Sequence, residues 1–204
     1  MNDSVIREGF RQQMLTQRQL GDALVIDELG LRHGKCRADI AVVNGHLSGY
    51  EIKSDDDSLC RLADQVKVYS AVFDRAAVIT CARYAKMVES CLPKWWGIVI
   101  GHPCGDQNVT FEVVRRGALN RHVDPFSLAQ LLWSDEAASI LAKLGEAPKT
   151  LRQRRAVLYE RLVELVSLAE LRRLVTRHLK SRQNWRHRVP PSLNDGWFRP
   201  IARS

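Results

Sequence analysis

Hydrophobic positions along the chain switch between a helical and a strand period. Ile6, Phe10 and Met14 recur four residues apart behind Asp3 and Ser4, either of which can cap, and predict an N-terminal amphipathic helix. Arg7, Arg11 and Arg18 fall mostly to one side of that stripe. Residues 23–31 (A-L-V-I-D-E-L-G-L) then read as a strand, interrupted by Asp27 and Glu28. Two further alternating runs follow, with Asn44-Gly45 between them. That dipeptide between apolar runs predicts an antiparallel hairpin in which both turn residues take positive φ. A polar break over 54–58 offers several caps and opens a helix over 59–73, with Leu59, Leu62, Ala63, Val66, Tyr69 and Phe73 near period 3.6. Residues 76–82 are uninterruptedly apolar, as in a doubly covered strand. A helix over 83–92 stops before Pro93, 96–101 reads as another buried strand, and 110–116 as an edge strand.

After Gly117 the pattern is helical throughout. Asp124-Pro125 is an N-cap followed by proline at the first helical position. Ser134 is expected to cap a helix ending near Gly145. Thr150-x-x-Gln153 and Ser167-x-x-Glu170 read as capping boxes for helices over 151–166 and 168–182. Residues 184–204, with Pro190-Pro191 and scattered Trp and Arg, read as an extended or disordered tail.

The hairpin carries the chemistry. Asp39 lies on its first strand, and Glu51 and Lys53 on its second. Residues two apart on a strand share a face, so Glu51 and Lys53 point together and Ile52 points away. Buried charge is costly unless it is paired or holds a metal. Gln65 and Tyr69, four apart on the following helix, also share a face. Of the preceding acids, Asp27 and Glu28, strand alternation allows only one to share the side of Asp39.

Asp39 followed by Glu51-Ile52-Lys53 resembles the D…(D/E)-x-K signature of the PD-(D/E)xK nuclease superfamily. Gln65-Val-Lys-Val-Tyr69 is similar to the Q-x-x-x-Y element of its RecB-like exonuclease branch. Ala38 stands where the family's name has proline. The motifs cover roughly 25–82, and the order of elements extends the resemblance over about 5–117. It implies an α/β fold with a restriction-endonuclease-like αβββαβ core around a central mixed sheet, here over 1–118. A helical C-terminal extension (119–183) and the tail (184–204) follow. It also implies a nuclease requiring Mg²⁺ or Mn²⁺, with Asp39, Glu51, Glu28 and the Ile52 carbonyl as candidate metal ligands. Lys53 and Gln65 would act on the attacking water and developing charge, with Tyr69 beside the nucleic acid.

Composition narrows the partner. The 204 residues carry a net charge of +8, which favours a polyanion such as DNA. Arg32, Lys35 and Arg37 form a basic turn before Asp39, and Arg172, Arg173 and Arg177 decorate the last helix. Each group reads as a phosphate contact or as solvated surface. Five widely spread cysteines form no C-x-x-C, so neither zinc, a disulfide framework nor an iron–sulfur cluster is expected. No apolar run approaches a membrane span, and the chain reads as cytoplasmic. No nucleotide-binding P-loop or zinc finger is evident, which favours structure- or end-directed cleavage in repair, recombination or defence. A homodimer is a further expectation, because cutting both strands of a duplex often uses two sites. Against cleavage stand a catalytically silent nucleic-acid-binding module, a protein-binding adaptor on the same fold, and a plain cross-strand salt bridge on the hairpin.

Overall fold

A computed structural model describes residues 1–17, 23–105 and 108–182. The expected tail over 184–204 lies outside these residues. Helix α1 (Asp3–Gln17) precedes three antiparallel strands, β1 (Leu24–Leu31), β2 (Cys36–Asn44) and β3 (His46–Lys53). Helix α2 (Leu62–Val72), strand β4 (Arg75–Cys81), helix α3 (Ala85–Cys91) and strands β5 (Gly97–Cys104) and β6 (Asn108–Arg115) complete a mixed α/β core. The six strands lie in sequence order; β3, β4 and β5 run parallel and the other neighbours antiparallel. The parallel pairs are those whose connections pass through α2 and α3, the crossover that parallel strands require.

One face of the sheet is covered by α1, whose Ile6 and Phe10 pack on Val25, Ile40, Val42, Ile52 and Ile79. The other face meets α2 and the C-terminal helices in one continuous cluster that includes Leu47, Tyr69, Trp96, Leu128, Leu162 and Val175. Those helices are α4 (Pro125–Ala129), α5 (Ser134–Lys143), α6 (Pro148–Leu151), α7 (Arg155–Leu165) and α8 (Leu168–Ser181). The C-terminal extension therefore shares the sheet's core. Asp74, almost buried, holds the two together: its carboxylate accepts from Leu47 N (3.0 Å) and from Arg172 Nε on α8 (2.7 Å).

Local chemistry corrects several expectations. Only Gly45 of the hairpin turn is left-handed (φ 69°); Asn44 is not, so the turn is not the expected pair of positive-φ residues. Trp133, not Ser134, caps α5, because Glu136 reaches back to its backbone N–H (2.7 Å). Thr150 lies inside the short α6, and α7 begins behind Arg154 without a side-chain cap, so the Thr150 capping box does not form. Asp124 and Ser167 do cap their helices.

Candidate active site

Alternation fails in two neighbouring strands at the same place. In β1, Leu24 and Ile26 face the helical cluster, and so do Leu29 and Leu31, so the phase shifts between them. In β2, Ala41 and Ala38 both face that cluster while Ile40 faces α1. The residues at the break are Glu28, whose backbone is left-handed (φ 53°), and Asp39. A left-handed non-glycine costs energy and tends to mark functional positions.

Beyond the Ile40–Tyr50 pair the backbone ladder between β2 and β3 stops, and side chains take its place. The Ile52 amide donates to Asp39 Oδ2 (2.7 Å). The Asp39 amide donates to the Tyr69 hydroxyl (3.2 Å), which donates to Glu51 Oε2 (2.5 Å). Glu51 Oε1 accepts from Lys53 Nζ (2.7 Å) and from Gln65 Nε2. Asp39, Glu51, Lys53, Gln65 and Tyr69, named from widely spaced positions, thus form one constellation. Glu51 and Lys53 are only 1% and 4% exposed, so their pairing is a desolvated one.

Burial, and then the charge of Glu51, push the Asp39 carboxyl up to about 7, against the pull of the Ile52 amide and Arg7. Burial and the same two carboxylates raise the Tyr69 hydroxyl, which stays protonated and can only donate toward Glu51. Tyr69 is fully buried, which places it among the partners of Glu51 and not at a nucleic-acid surface.

Arg7 was not singled out by its sequence. From α1 it reaches Asp3 (3.1 Å), Glu28 (3.2 Å) and Asp39 (3.3 Å), and it donates to the Asp39 carbonyl (2.7 Å). Burial works against its charge, but the bond to Asp3 and the charges of Asp39 and Glu28 hold the guanidinium above its ordinary value. The available signal was Asp3 and Arg7 four apart on the first helix; nothing local pointed to Asp39. Asp27 pairs with Arg11 instead (2.5 Å), so that of the two acids it is Glu28 that shares Arg7 with Asp39.

The donor set fits a hard divalent cation. Mg²⁺ commonly takes one or two carboxylates and keeps water in its other positions. Asp39 and Glu51 supply two, while the buried Gln65 Oε1 has no hydrogen-bond partner among the described residues. That orphaned acceptor suits a metal-bound water. No cluster of three or more His, Cys, Asp or Glu able to hold a metal occurs among the described residues, so any ion here rests on a sparse set.

Of the expected surface contacts, Arg32, Lys35 and Arg37 are exposed on their turn, and Arg37 lies 3.9 Å from Glu28. Arg172 is committed to Asp74, and Arg173 pairs with Glu170 along α8. Arg177 is exposed. All five cysteines are free thiols. Among the described residues no helix is long and apolar enough to cross a membrane.

The chain has recognisable relatives. The family model described as "Bacteriophage P4 protein cII" matches residues 7–189. "Protein cII" of Enterobacteria phage P4 is 28% identical over 182 residues, covering 89% of this chain and 68% of the relative. A solved structure of a protein of unknown function from Silicibacter pomeroyi aligns with a TM-score of 0.43 at 18% identity, covering 70% of this chain and 89% of that one.

Proposed function

The chain belongs to the bacteriophage P4 protein cII family, and we propose that this member is a metal-dependent phosphodiesterase acting on nucleic acid, with DNA the favoured substrate. The reading rests on the geometry of the site and not on the relatives. The observation that carries it is the desolvated Glu51–Lys53 pair with Asp39 and Gln65 converging on it. Buried ion pairs are poor stabilisers compared with apolar packing. One set where two strands part, with an orphaned amide oxygen beside it, is better explained by chemistry.

When bound, Mg²⁺ or Mn²⁺ would polarise the phosphodiester and acidify a water. Asp39 and Glu51 would hold the ion, with the Ile52 carbonyl as a further ligand. Lys53, a compact cation fixed by Glu51, offsets negative charge developing on the phosphate oxygens. Gln65 Oε1 would accept a hydrogen bond from a water O–H and orient that water. Tyr69 keeps one Glu51 oxygen occupied and so fixes the carboxylate's rotation. Glu28 is separated from this group by Arg7, and its part is to hold that arginine.

A second reading is a catalytically silent nucleic-acid-binding module, or a protein-binding adaptor, on the same fold. The family match favours it over cleavage, and so does Arg7, whose guanidinium already neutralises Asp39 and Glu28 from within the chain.

Incubation with linear and circular DNA, single- and double-stranded, and with RNA, in Mg²⁺, Mn²⁺ or EDTA separates the two. Cleavage that needs the metal and falls by about a hundredfold or more in Lys53→Ala and Asp39→Ala is expected, a loss on the scale of removing one charge-stabilising group. Intact substrates throughout, with salt-sensitive binding retained by wild type and variants alike, would leave the binding module.

A further inference from the structure

A concavity opens next to the candidate site, on the side of the C-terminal helices. Leu29 and Gly30, immediately after Glu28, form part of its wall, and Leu29 pairs across the sheet with Ala38, the neighbour of Asp39. Across from them stand Trp133, Arg155, Tyr159 and Arg182. The cavity measures about 450 Å³, within the range of small-ligand sites.

Its walls combine ring faces with guanidinium groups. Trp133 is 56% exposed, unusual for the largest apolar side chain. Its indole is nevertheless held in place: the Arg182 guanidinium lies 4.3 Å from the ring centre and is itself fixed by Glu136 (2.6 Å) and the Leu131 carbonyl (2.7 Å). His33 stacks on Tyr159, ring centres 5.8 Å apart at 20° between planes. It is presented by a turn in which Arg32 (φ 47°), His33 (φ 58°) and Gly34 (φ 84°) are all left-handed. Two strained non-glycine residues in succession cost stability that the fold has to make up elsewhere. Burial, and then the charges of Arg155 and Lys35, hold the His33 imidazole below its ordinary value. Arg155, exposed at the start of α7, has no carboxylate partner among the described residues.

A pre-set aromatic surface beside the Arg155 guanidinium, which no carboxylate neutralises among the described residues, matches a base together with its phosphate. A duplex hides its base faces; a single strand offers them. We propose that this cavity binds one unpaired nucleotide of a single-stranded nucleic acid, with Trp133 stacking on the base and Arg155 meeting the phosphate. The proposal rests on the nucleic-acid reading of the adjacent site and adds the strand form that is recognised.

Fluorescence anisotropy in EDTA, with a labelled single strand and a blunt duplex of equal length, tests it. Lys53→Ala serves as the parent, and Trp133→Ala, Trp133→Phe, Arg155→Ala and the remote Lys86→Ala are added to it. Trp133→Ala and Arg155→Ala should each weaken single-strand binding by about fivefold or more, the scale of one stacked base. Duplex binding should change little, Trp133→Phe should retain most of the affinity, and Lys86→Ala should act weakly on both ligands. Single-strand affinity unchanged by Trp133→Ala and Arg155→Ala, or lowered no more than by Lys86→Ala, would overturn the proposal, whatever wild type cleaves in metal. The expected losses in a protein that cleaves nothing would uphold this pocket and defeat the phosphodiesterase reading alone. A wild type that neither binds nor cuts any nucleic acid would defeat both.

Discussion

At Asp39 burial opposes the Ile52 amide and the Arg7 guanidinium, which favour the anion. The Asp39 carboxyl is pushed up to about 7, first by loss of water and then by Glu51. An acid whose value is higher in the folded than in the unfolded state binds its proton more tightly when folded. Its contribution to stability is complete below the unfolded value near 4 and is lost as pH rises through about 7. In metal-free buffer the melting temperature of wild type should therefore fall across that window. Asp39→Asn keeps an acceptor for the Ile52 amide but cannot ionise, and should flatten the fall. Parallel melting curves for the two proteins would show that Asp39 does not carry the shift. Arg7 offers partial compensation when Asp39 ionises, since its guanidinium lies 3.3 Å away.

At the scale of elements, the site depends on how closely α2 approaches β3. Gly49 permits that approach: a Cβ there would lie 2.5 Å from the Phe73 ring at the end of α2. The same helix carries Gln65 and Tyr69 to Glu51. Gly49→Ala should destabilise the fold by about 1–3 kcal/mol in urea unfolding, the usual cost of overpacking a dense core. An unchanged midpoint would mean that the contact yields without cost. Much of this element was legible in the sequence. The i, i+4 spacing put Gln65 and Tyr69 on one face, and strand alternation put Glu51 with Lys53. Alternation did not reveal the phase break at Glu28 and Asp39, because a shift of one residue depends on backbone torsions and on a ladder that ends early. The burial of Tyr69 was hidden for a related reason: its hydroxyl replaces a backbone partner that only the parted strands leave open.

Across the whole molecule, the sheet, α1 and the C-terminal helices divide the work. The order of strands and helices followed from hydrophobic period alone, since each period change falls near an element boundary. The covering of the sheet did not. Arg7 on α1 meets Asp39 across thirty-two positions, and Arg172 on α8 meets Asp74 across ninety-eight, contacts that no local pattern encodes. The result is a carboxylate pair flanked by an internal cation on one side and an aromatic, basic cavity on the other. On the proposed function, Asp39 and Glu51 take a divalent ion in competition with Arg7. Calorimetric titration of Mn²⁺, above the Asp39 value and without nucleic acid, tests this binding without knowledge of the substrate. Saturable binding to wild type is expected, with its loss in Asp39→Asn and tighter binding in Arg7→Ala. Absence of binding to wild type, or equal binding to wild type and Asp39→Asn, would contradict it.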